Sequence, residues 1–420
     1  MRSTLLHLAA AMAMGASASA QPLPTPHQAV EPAPMQNAAP LTLEQAVKRA
    51  LDNNHALSAA RHTAQSADGV VQQARSRPNP VLDIEVEDTS QKASRTTTTT
   101  LSLPIELGGK RDARIDAASL TRDIARQEAE QARADVRSQA VAAFFEVLIA
   151  QERVALSDKA VGIARDAQRI AAKRVEAGKV APLDADRAHV ELANAELEAE
   201  QARNALQAAR RGLSTLWGES KPTFTSAEGE IDAPLSRPDL DDLASALETS
   251  PLLHAARLAS DRSQAQLAVE KSKRYPDLEV SAGVARNNEL GRNQVLVGVS
   301  IPLPLFDRNQ GNVYEASMLV YKSRDDYLGL KTQLQAQLQR AASEFDLAKS
   351  AVRRLEAEIL PSANTAFDRA KRGFEAGKFD FTVVLDAQRT LFQATARHLS
   401  ALSDAYQALA HIDRILGRKS

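Results

Sequence analysis

The chain has 420 residues, with 52 Lys and Arg against 53 Asp and Glu, and its formal net charge is −1. This balance argues against nucleic-acid binding, which normally requires a basic surface, so no nucleic-acid partner is expected. The absence of Cys excludes disulfides, thiolate metal ligands, thiol catalysis and a lipidated N-terminal cysteine. After residue 20, no run of 18 residues is continuously apolar, so no membrane-spanning helix is expected.

The N-terminus is typical of a secretory signal peptide. Arg2 supplies a positive charge, residues 5–13 are apolar, and Ala18-Ser19-Ala20 matches an A-x-A cleavage site. We therefore predict a signal peptide over residues 1–20. Residues 21–41 are rich in proline and are predicted to be extended. An exported chain without Cys fits the envelope of a bacterium that has two membranes.

The rest of the chain contains an internal duplication. Residues 51–61 match residues 247–257 at an offset of 196, and residues 176–179 match residues 375–378 at an offset of 199. Because the offset changes so little along the chain, insertions between the two copies are few and short. We predict two repeats over residues 42–217 and 238–417, joined by a connector over residues 218–237.

Each repeat is predicted to contain a helix, two strands, a very long helix, a turn and a returning helix. The first helix is predicted over residues 43–76, because Thr42 is a suitable N-cap. The long helix is predicted over residues 110–177, where only Gly162 interrupts good helix formers. Pro361 holds the equivalent position in the second repeat, so we expect a bend or break at both places.

Four segments are predicted to be strands. Residues 81–88, 277–284 and 294–301 alternate between apolar and polar residues, as strands with one wet face do. Residues 96–105 are less regular and are predicted from their Thr and Leu content. In the first, Leu82, Ile84 and Val86 alternate with carboxylates. The carboxylates predicted to share the polar face are Asp83, Glu85, Glu87 and Glu279.

Strands of this length can cross a bilayer at a tilt, but four of them cannot close into a barrel. Open edges in lipid leave backbone groups unpaired, so two or three copies, with eight or twelve strands, would be needed. The four carboxylates would then line the lumen, and the Leu, Ile and Val side chains would face lipid. The same alternation also fits a soluble four-stranded sheet, so periodicity leaves both structures open.

Three motifs resemble the TolC family of outer-membrane efflux ducts, and the resemblance runs from about residue 42 to residue 417. Residues 375–391 (EAGKFDFTVVLDAQRTL) look like that family's periplasmic turn and returning helix. Residues 106–111 (ELGGKR) and residues 301–311 (IPLPLFDRNQG) are similar to the CzcC-like branch, the outer-membrane components of heavy-metal resistance pumps.

The resemblance implies a mainly α fold with a small β part. Two tandem repeats of long antiparallel helical hairpins would form a periplasmic α-barrel, and four strands would join a trimeric, twelve-stranded transmembrane β-barrel. It also implies a homotrimer in outer-membrane lipid that docks on a periplasmic membrane-fusion adaptor and an inner-membrane RND transporter. The expected function is passive conduction of substrate, such as cobalt, zinc or cadmium cations, from the periplasm to the exterior.

The resemblance also points to a constriction at the periplasmic entrance. The family's aspartate ring falls on Asp386, whereas Val383 stands where some members carry a second aspartate. Three copies of Asp386 around an axis would attract cations, and Arg389, one helical turn on, is placed to pair with it. The counterparts in the first repeat are Asp184 and Arg187. The alternative is an ordinary surface ion pair on a charged helix.

The two hairpin tips are the predicted contacts for the adaptor, because exposed hairpin ends are free of the barrel's own packing. The predicted docking residues are Gly178, Lys179, Gly377 and Lys378.

The sequence shows no constellation of catalytic or metal-binding residues. Its histidines are scattered over different predicted helices, and it contains neither a P-loop nor a G-x-G-x-x-G motif. We therefore expect no enzymatic activity, no cofactor and no resident metal. The alternative function is a soluble periplasmic coiled-coil adaptor or scaffold of an export system. Such an adaptor would need Gly-rich β modules around one hairpin, whereas this chain has two hairpins and 17 Gly.

Overall fold

The computed structural model describes residues 40–231 and 235–418, so the predicted signal peptide and residues 21–39 lie outside the described residues. The described part is mainly helical. Its helices are α1 (Leu43–Asn53), α2 (His55–Arg75), α3 (Lys110–Glu176), α4 (Pro182–Thr215), α5 (Leu240–Leu247), α6 (Pro251–Ser272), α7 (Gln310–Arg354), α8 (Leu360–Glu375) and α9 (Phe381–Leu416). Its strands are β1 (Leu41–Thr42), β2 (Val81–Glu87), β3 (Thr96–Ile105), β4 (Ala227–Glu228), β5 (Leu278–Asn287) and β6 (Arg292–Ser300).

The four longer strands form one antiparallel sheet in the order β2-β3-β5-β6. Each repeat contributes one hairpin, and β3 pairs with β5 to join the two hairpins. This pairing runs from Thr96 opposite Asn287 to Ile105 opposite Leu278. The four predicted strands are confirmed. The short strands β1 and β4 form a separate parallel pair between the start of the first repeat and the connector.

Two long helical hairpins make up just over half of the described residues. In the first repeat α3 packs against α4, and in the second repeat α7 and α8 pack against α9. The repeats meet where α3 packs against α6 and α9. At 1.5 Å per residue, the 67 residues of α3 span roughly 100 Å. No helix within the described part of the chain is long and apolar enough to cross a membrane.

Each repeat has its own apolar core, in which a short helix packs against the long ones. Leu57, Phe144 and Leu213 are buried in the first core. Further along the hairpins the buried residues are small, as with Ala164 and Ala195. Bulky side chains therefore stabilise the region near α1 and α5, and alanines allow close helix approach along the first hairpin. A separate apolar cluster with a buried aromatic ring packs near the tip of the second repeat.

The predicted single helix over residues 43–76 is wrong, because the chain breaks at Asn54. This residue has an extended backbone, with φ −70° and ψ 122°. Its side-chain Oδ1 accepts the Leu57 N–H at 2.9 Å, and its Nδ2 donates to the Leu216 carbonyl at 2.8 Å. The side chain thus caps α2 and ties it to the end of α4.

The expectation of a break at both Gly162 and Pro361 holds for only one of them. Helix α3 continues through Gly162 without interruption. In the second repeat, residues 355–359 are π-helical, and Pro361 lies in the first turn of α8. Glycine keeps its backbone N–H and lets the hydrogen-bond ladder continue, whereas proline lacks that donor and crowds the carbonyl four residues earlier.

Candidate functional site

The two hairpin tips are closed by matching turns. Gly178 and Gly377 have φ values of +67° and +71°, a backbone conformation that favours glycine. The following lysines close the turns, since Lys179 N donates to the Arg174 carbonyl and Lys378 N donates to the Gly373 carbonyl, both at 2.8 Å. All four predicted docking residues are exposed in the protomer, so their backbone and side chains are open to a partner.

A contact between the repeats holds the tips next to each other. The Arg174 guanidinium of α3 lies 4.0 Å from the centre of the buried Phe374 ring of α8. A guanidinium over an aromatic ring is attracted by the negative face of the ring. This contact therefore joins the two repeats close to their tips.

The returning helices α4 and α9 face each other across a groove of about 670 Å³. Three of the predicted constriction residues, Arg187, Asp386 and Arg389, line this groove. Asp184 lies instead in a neighbouring cavity of about 310 Å³, which Arg187 also lines. The structure thus brings three of the four residues together, and the fourth lies one cavity away.

The expected pairing of Arg389 with Asp386 is wrong. Arg389 Nη2 donates to Glu191 Oε2 on α4 at 2.9 Å, so the ion pair crosses the groove instead of following one helix. Sequence analysis missed Glu191, although it lies one helical turn after Arg187 and therefore on the same side of α4. Among the described residues, no ion pair joins Asp184 to Arg187.

The sheet places the four predicted carboxylates on one face. Asp83, Glu85 and Glu87 lie opposite Thr100, Thr98 and Thr96 of β3. Residues directly opposite each other share a face. Glu279 lies opposite Pro104, another even-numbered residue of β3, and so belongs to the same face.

The other face of the sheet is apolar and exposed in the protomer. It carries Leu82 and Ile84 of β2 and the alternate valines of β6. One face is therefore mainly carboxylate and hydroxyl, and the other is mainly aliphatic. Across residues 40–231 and 235–418, no group of three or more His, Cys, Asp or Glu side chains is arranged to hold a metal ion.

Ion pairs fix the junction between the sheet and the helices. Lys110 Nζ lies 2.7 Å from Asp277 Oδ1, which also accepts the Leu107 N–H at 3.2 Å. Gly108, which follows Leu107, has φ +70°, and an added Cβ at this residue would lie 2.6 Å from the Cβ of Tyr275. The first motif after the strands therefore packs directly against the start of β5.

A buried carboxylate forms the matching junction in the second repeat. Glu270 accepts Lys273 Nζ at 2.7 Å and Asn309 Nδ2 at 2.9 Å, and Asn309 directly precedes α7. The hydrogen bond from Lys273, helped by that from Asn309, lowers the pKa of Glu270 below its ordinary value against the opposing effect of burial. The charged form of Glu270 thus holds the start of α7 to the end of α6.

Both repeats match one protein family. The family model for outer membrane efflux proteins matches residues 46–219 and residues 243–418. The cobalt-zinc-cadmium resistance protein CzcC of Cupriavidus metallidurans is 48% identical over 385 residues, which cover 92% of this chain and 92% of that protein.

Solved structures share the fold at low identity. A membrane protein from Pseudomonas aeruginosa superposes with a TM-score of 0.78 at 19% identity, covering 93% of this chain and 99% of that one. CusC superposes with a TM-score of 0.77 at 16% identity, covering 91% and 94%. The arrangement of helical hairpins and strands in this chain is therefore the fold of these two solved proteins.

Proposed function

This chain belongs to the outer membrane efflux protein family, and we propose that it is the outer-membrane channel of a tripartite pump that exports divalent heavy-metal cations. The observation that carries the substrate class is the 48% identity to a cobalt-zinc-cadmium resistance protein over nearly the full length of both chains. Cobalt, zinc and cadmium are the cations to test first.

The open sheet supports a homotrimer. Strands β2 and β6 are the two edges of the four-stranded sheet. Such edges leave backbone groups unpaired in hydrocarbon, whereas three copies provide twelve strands, which can close into a barrel. The carboxylate face, with Asp83, Glu85, Glu87 and Glu279, then lines the lumen, and the aliphatic face contacts outer-membrane lipid.

The groove between α4 and α9 supports a charged constriction at the periplasmic entrance. Around a threefold axis, Asp386 forms an acidic ring of the kind that attracts cations and excludes anions. Arg187 and Arg389 line the same groove as Asp386, and Asp184 lies in the neighbouring cavity, so all three charges contribute to the field at the entrance. The ion pair between Arg389 and Glu191 links the two returning helices across the groove.

The paired tips support docking on a periplasmic membrane-fusion adaptor, which in turn links the channel to an inner-membrane RND transporter. Each repeat carries one exposed Gly-Lys pair at its tip, Gly178-Lys179 in the first and Gly377-Lys378 in the second. A partner with its own repeated helical hairpins would meet similar surfaces at each of the six tips of a trimer.

Deletion of the gene tests the substrate class. Tolerance to Co²⁺, Zn²⁺ and Cd²⁺ is expected to fall and to return on complementation, while tolerance to organic antibiotics stays unchanged. Loss of antibiotic tolerance with normal metal tolerance would reject the metal assignment.

The charged entrance is tested separately, because Asp386→Asn is expected to reduce the cation selectivity of the reconstituted channel. The matched control Asp166→Asn, an exposed aspartate on α3, should leave selectivity unchanged.

A further inference from the structure

An exposed apolar segment follows β6. Residues 301–306 read Ile-Pro-Leu-Pro-Leu-Phe and connect the sheet to the turn before α7. Leu303 is 75% exposed, Leu305 is 64% exposed and Phe306 is 92% exposed. A contiguous apolar surface of this kind normally marks a site of interaction.

The segment continues the aliphatic face of the sheet. Val295, Val297 and Val299 occupy alternate positions of β6, and Val297 is 77% exposed. Ile301 and Leu303 continue the same two-residue spacing in the sequence past the end of the strand, and both are exposed. A surface that contacts the aliphatic side chains of β6 would therefore also contact residues 301–306.

The backbone of the segment is suited to an environment with little water. Pro302 and Pro304 have no N–H to leave unpaired. Leu305 N donates to the Leu303 carbonyl at 2.9 Å, which satisfies a further donor within the segment. Unpaired backbone donors are costly to remove from water, so this composition lowers the cost of entering a membrane boundary.

The apolar character ends abruptly at charged residues. Asp307 and Arg308 follow Phe306 directly, and α7 begins at Gln310. Tyr275 lies three residues before the neighbouring strand β5, at the same end of the sheet, and is also exposed. An apolar row that is capped by an aromatic ring and then by charge matches the change from acyl chains to headgroups.

We propose that residues 301–306 are an interfacial anchor in the periplasmic leaflet of the outer membrane, with Leu303, Leu305 and Phe306 in contact with phospholipid acyl chains. This proposal rests on the proposed function, because it requires the aliphatic face of the sheet to lie in lipid. A second copy of the chain fits less well, since a neighbouring strand would join β6 in the plane of the sheet and not on its face.

Tryptophan quenching by brominated lipid tests the anchor in the full-length protein. Phe306→Trp, Val297→Trp and Leu347→Trp are each reconstituted into phosphatidylethanolamine–phosphatidylglycerol vesicles that contain phosphatidylcholine brominated at shallow or deep acyl carbons. The single native tryptophan, Trp217, is 5% exposed and provides the same background in every sample. Leu347 is the control, because it is exposed but lies 37 residues into α7, roughly 55 Å along the helix from Gln310.

The expected result is a loss of emission from Phe306→Trp that is larger with shallow than with deep bromines. Val297→Trp should be quenched more by deep bromines, and Leu347→Trp by neither. Quenching of Val297→Trp without quenching of Phe306→Trp would overturn the anchor and leave the barrel intact. Emission from Phe306→Trp that is blue-shifted but unquenched would show that protein covers the segment and would also overturn the anchor. Absence of quenching at both positions would overturn the lipid-facing sheet itself.

Discussion

The junction after β3 offers a sharp test of the packing, through the substitution Gly108→Ala. Gly108 has φ +70°, and an added Cβ would lie 2.6 Å from both Cβ and Cδ2 of Tyr275. The tyrosine ring can rotate because it is exposed, but its Cβ moves only with the backbone. The substitution is therefore expected to strain the join between the sheet and α3.

Two costs add in this variant. A residue with a side chain in the left-handed region costs about 1–2 kcal/mol, and an extra methyl group in a packed site costs about 1–3 kcal/mol. Gly109→Ala is the matched control, because Gly109 has φ +71° and nothing within 4 Å of its added Cβ. Gly108→Ala should therefore lose about 1–3 kcal/mol more free energy of unfolding than Gly109→Ala.

Urea unfolding of the detergent-solubilised protein measures this difference, with the emission of the buried Trp217 as the signal. The wild type and both variants are compared at one detergent concentration. Equal losses in the two variants would refute the contact between Gly108 and Tyr275. An unchanged free energy of unfolding in both would refute the left-handed conformation of the whole turn.

Three further predictions concern charged groups. A double-mutant cycle on Arg389→Ala and Glu191→Ala should give a coupling of about 0.2–1 kcal/mol in thermal unfolding, because the two side chains are 58% and 27% exposed. Zero coupling would refute a stabilising role for the ion pair across the groove. Glu270→Gln should lower the free energy of unfolding at pH 7. Since the pKa of Glu270 is lowered in the fold, its contribution is present above the ordinary glutamate pKa of about 4.3 and is lost as the pH falls through the folded value, so the wild type and variant should converge in acid. Burial, and then the charge of Arg414, lowers the pKa of His411. Below about pH 6.5 the unfolded chain therefore binds more protons than the fold, and the free energy of unfolding falls on acidification. His411→Gln should weaken that fall, and an identical pH profile in wild type and variant would refute the burial of His411.

The strands were the most predictable part of the fold. Alternation alone placed Leu82 and Ile84 on one face and Asp83 and Glu85 on the other, and the register of β2 with β3 agrees. The period of two is a local property of an extended chain, so it can be recognised without knowledge of the partner strand. The order β2-β3-β5-β6 depends instead on which hairpins meet, which local pattern does not encode.

Two of the misses involve partners far away in the chain. The break at Asn54 depends on the Leu216 carbonyl, 162 residues later, and asparagine by itself is tolerated within helices. The bond from Arg389 to Glu191 joins the two repeats, whereas helical spacing identifies neighbours only on the same helix. At the candidate site, sequence therefore found the correct segments but not the pairing between them.

The contrast between Gly162 and Pro361 shows why equivalent positions in a duplication need not behave alike. Both weaken a helix, and their alignment suggested a shared bend. Only proline removes a backbone donor, and only the second repeat has a π-helical segment there. The repeats thus share an order of elements but differ in helix continuity.

Size and location of the native protein test the central claim most directly. Outer membranes are separated from inner membranes and soluble periplasm, and the protein is extracted with detergent and its mass measured by light scattering after correction for bound detergent. The account predicts recovery in the outer-membrane fraction, a requirement for detergent, and a protein mass three times that of the mature chain. A soluble, monomeric periplasmic protein would contradict it and would leave the four strands as an ordinary open sheet.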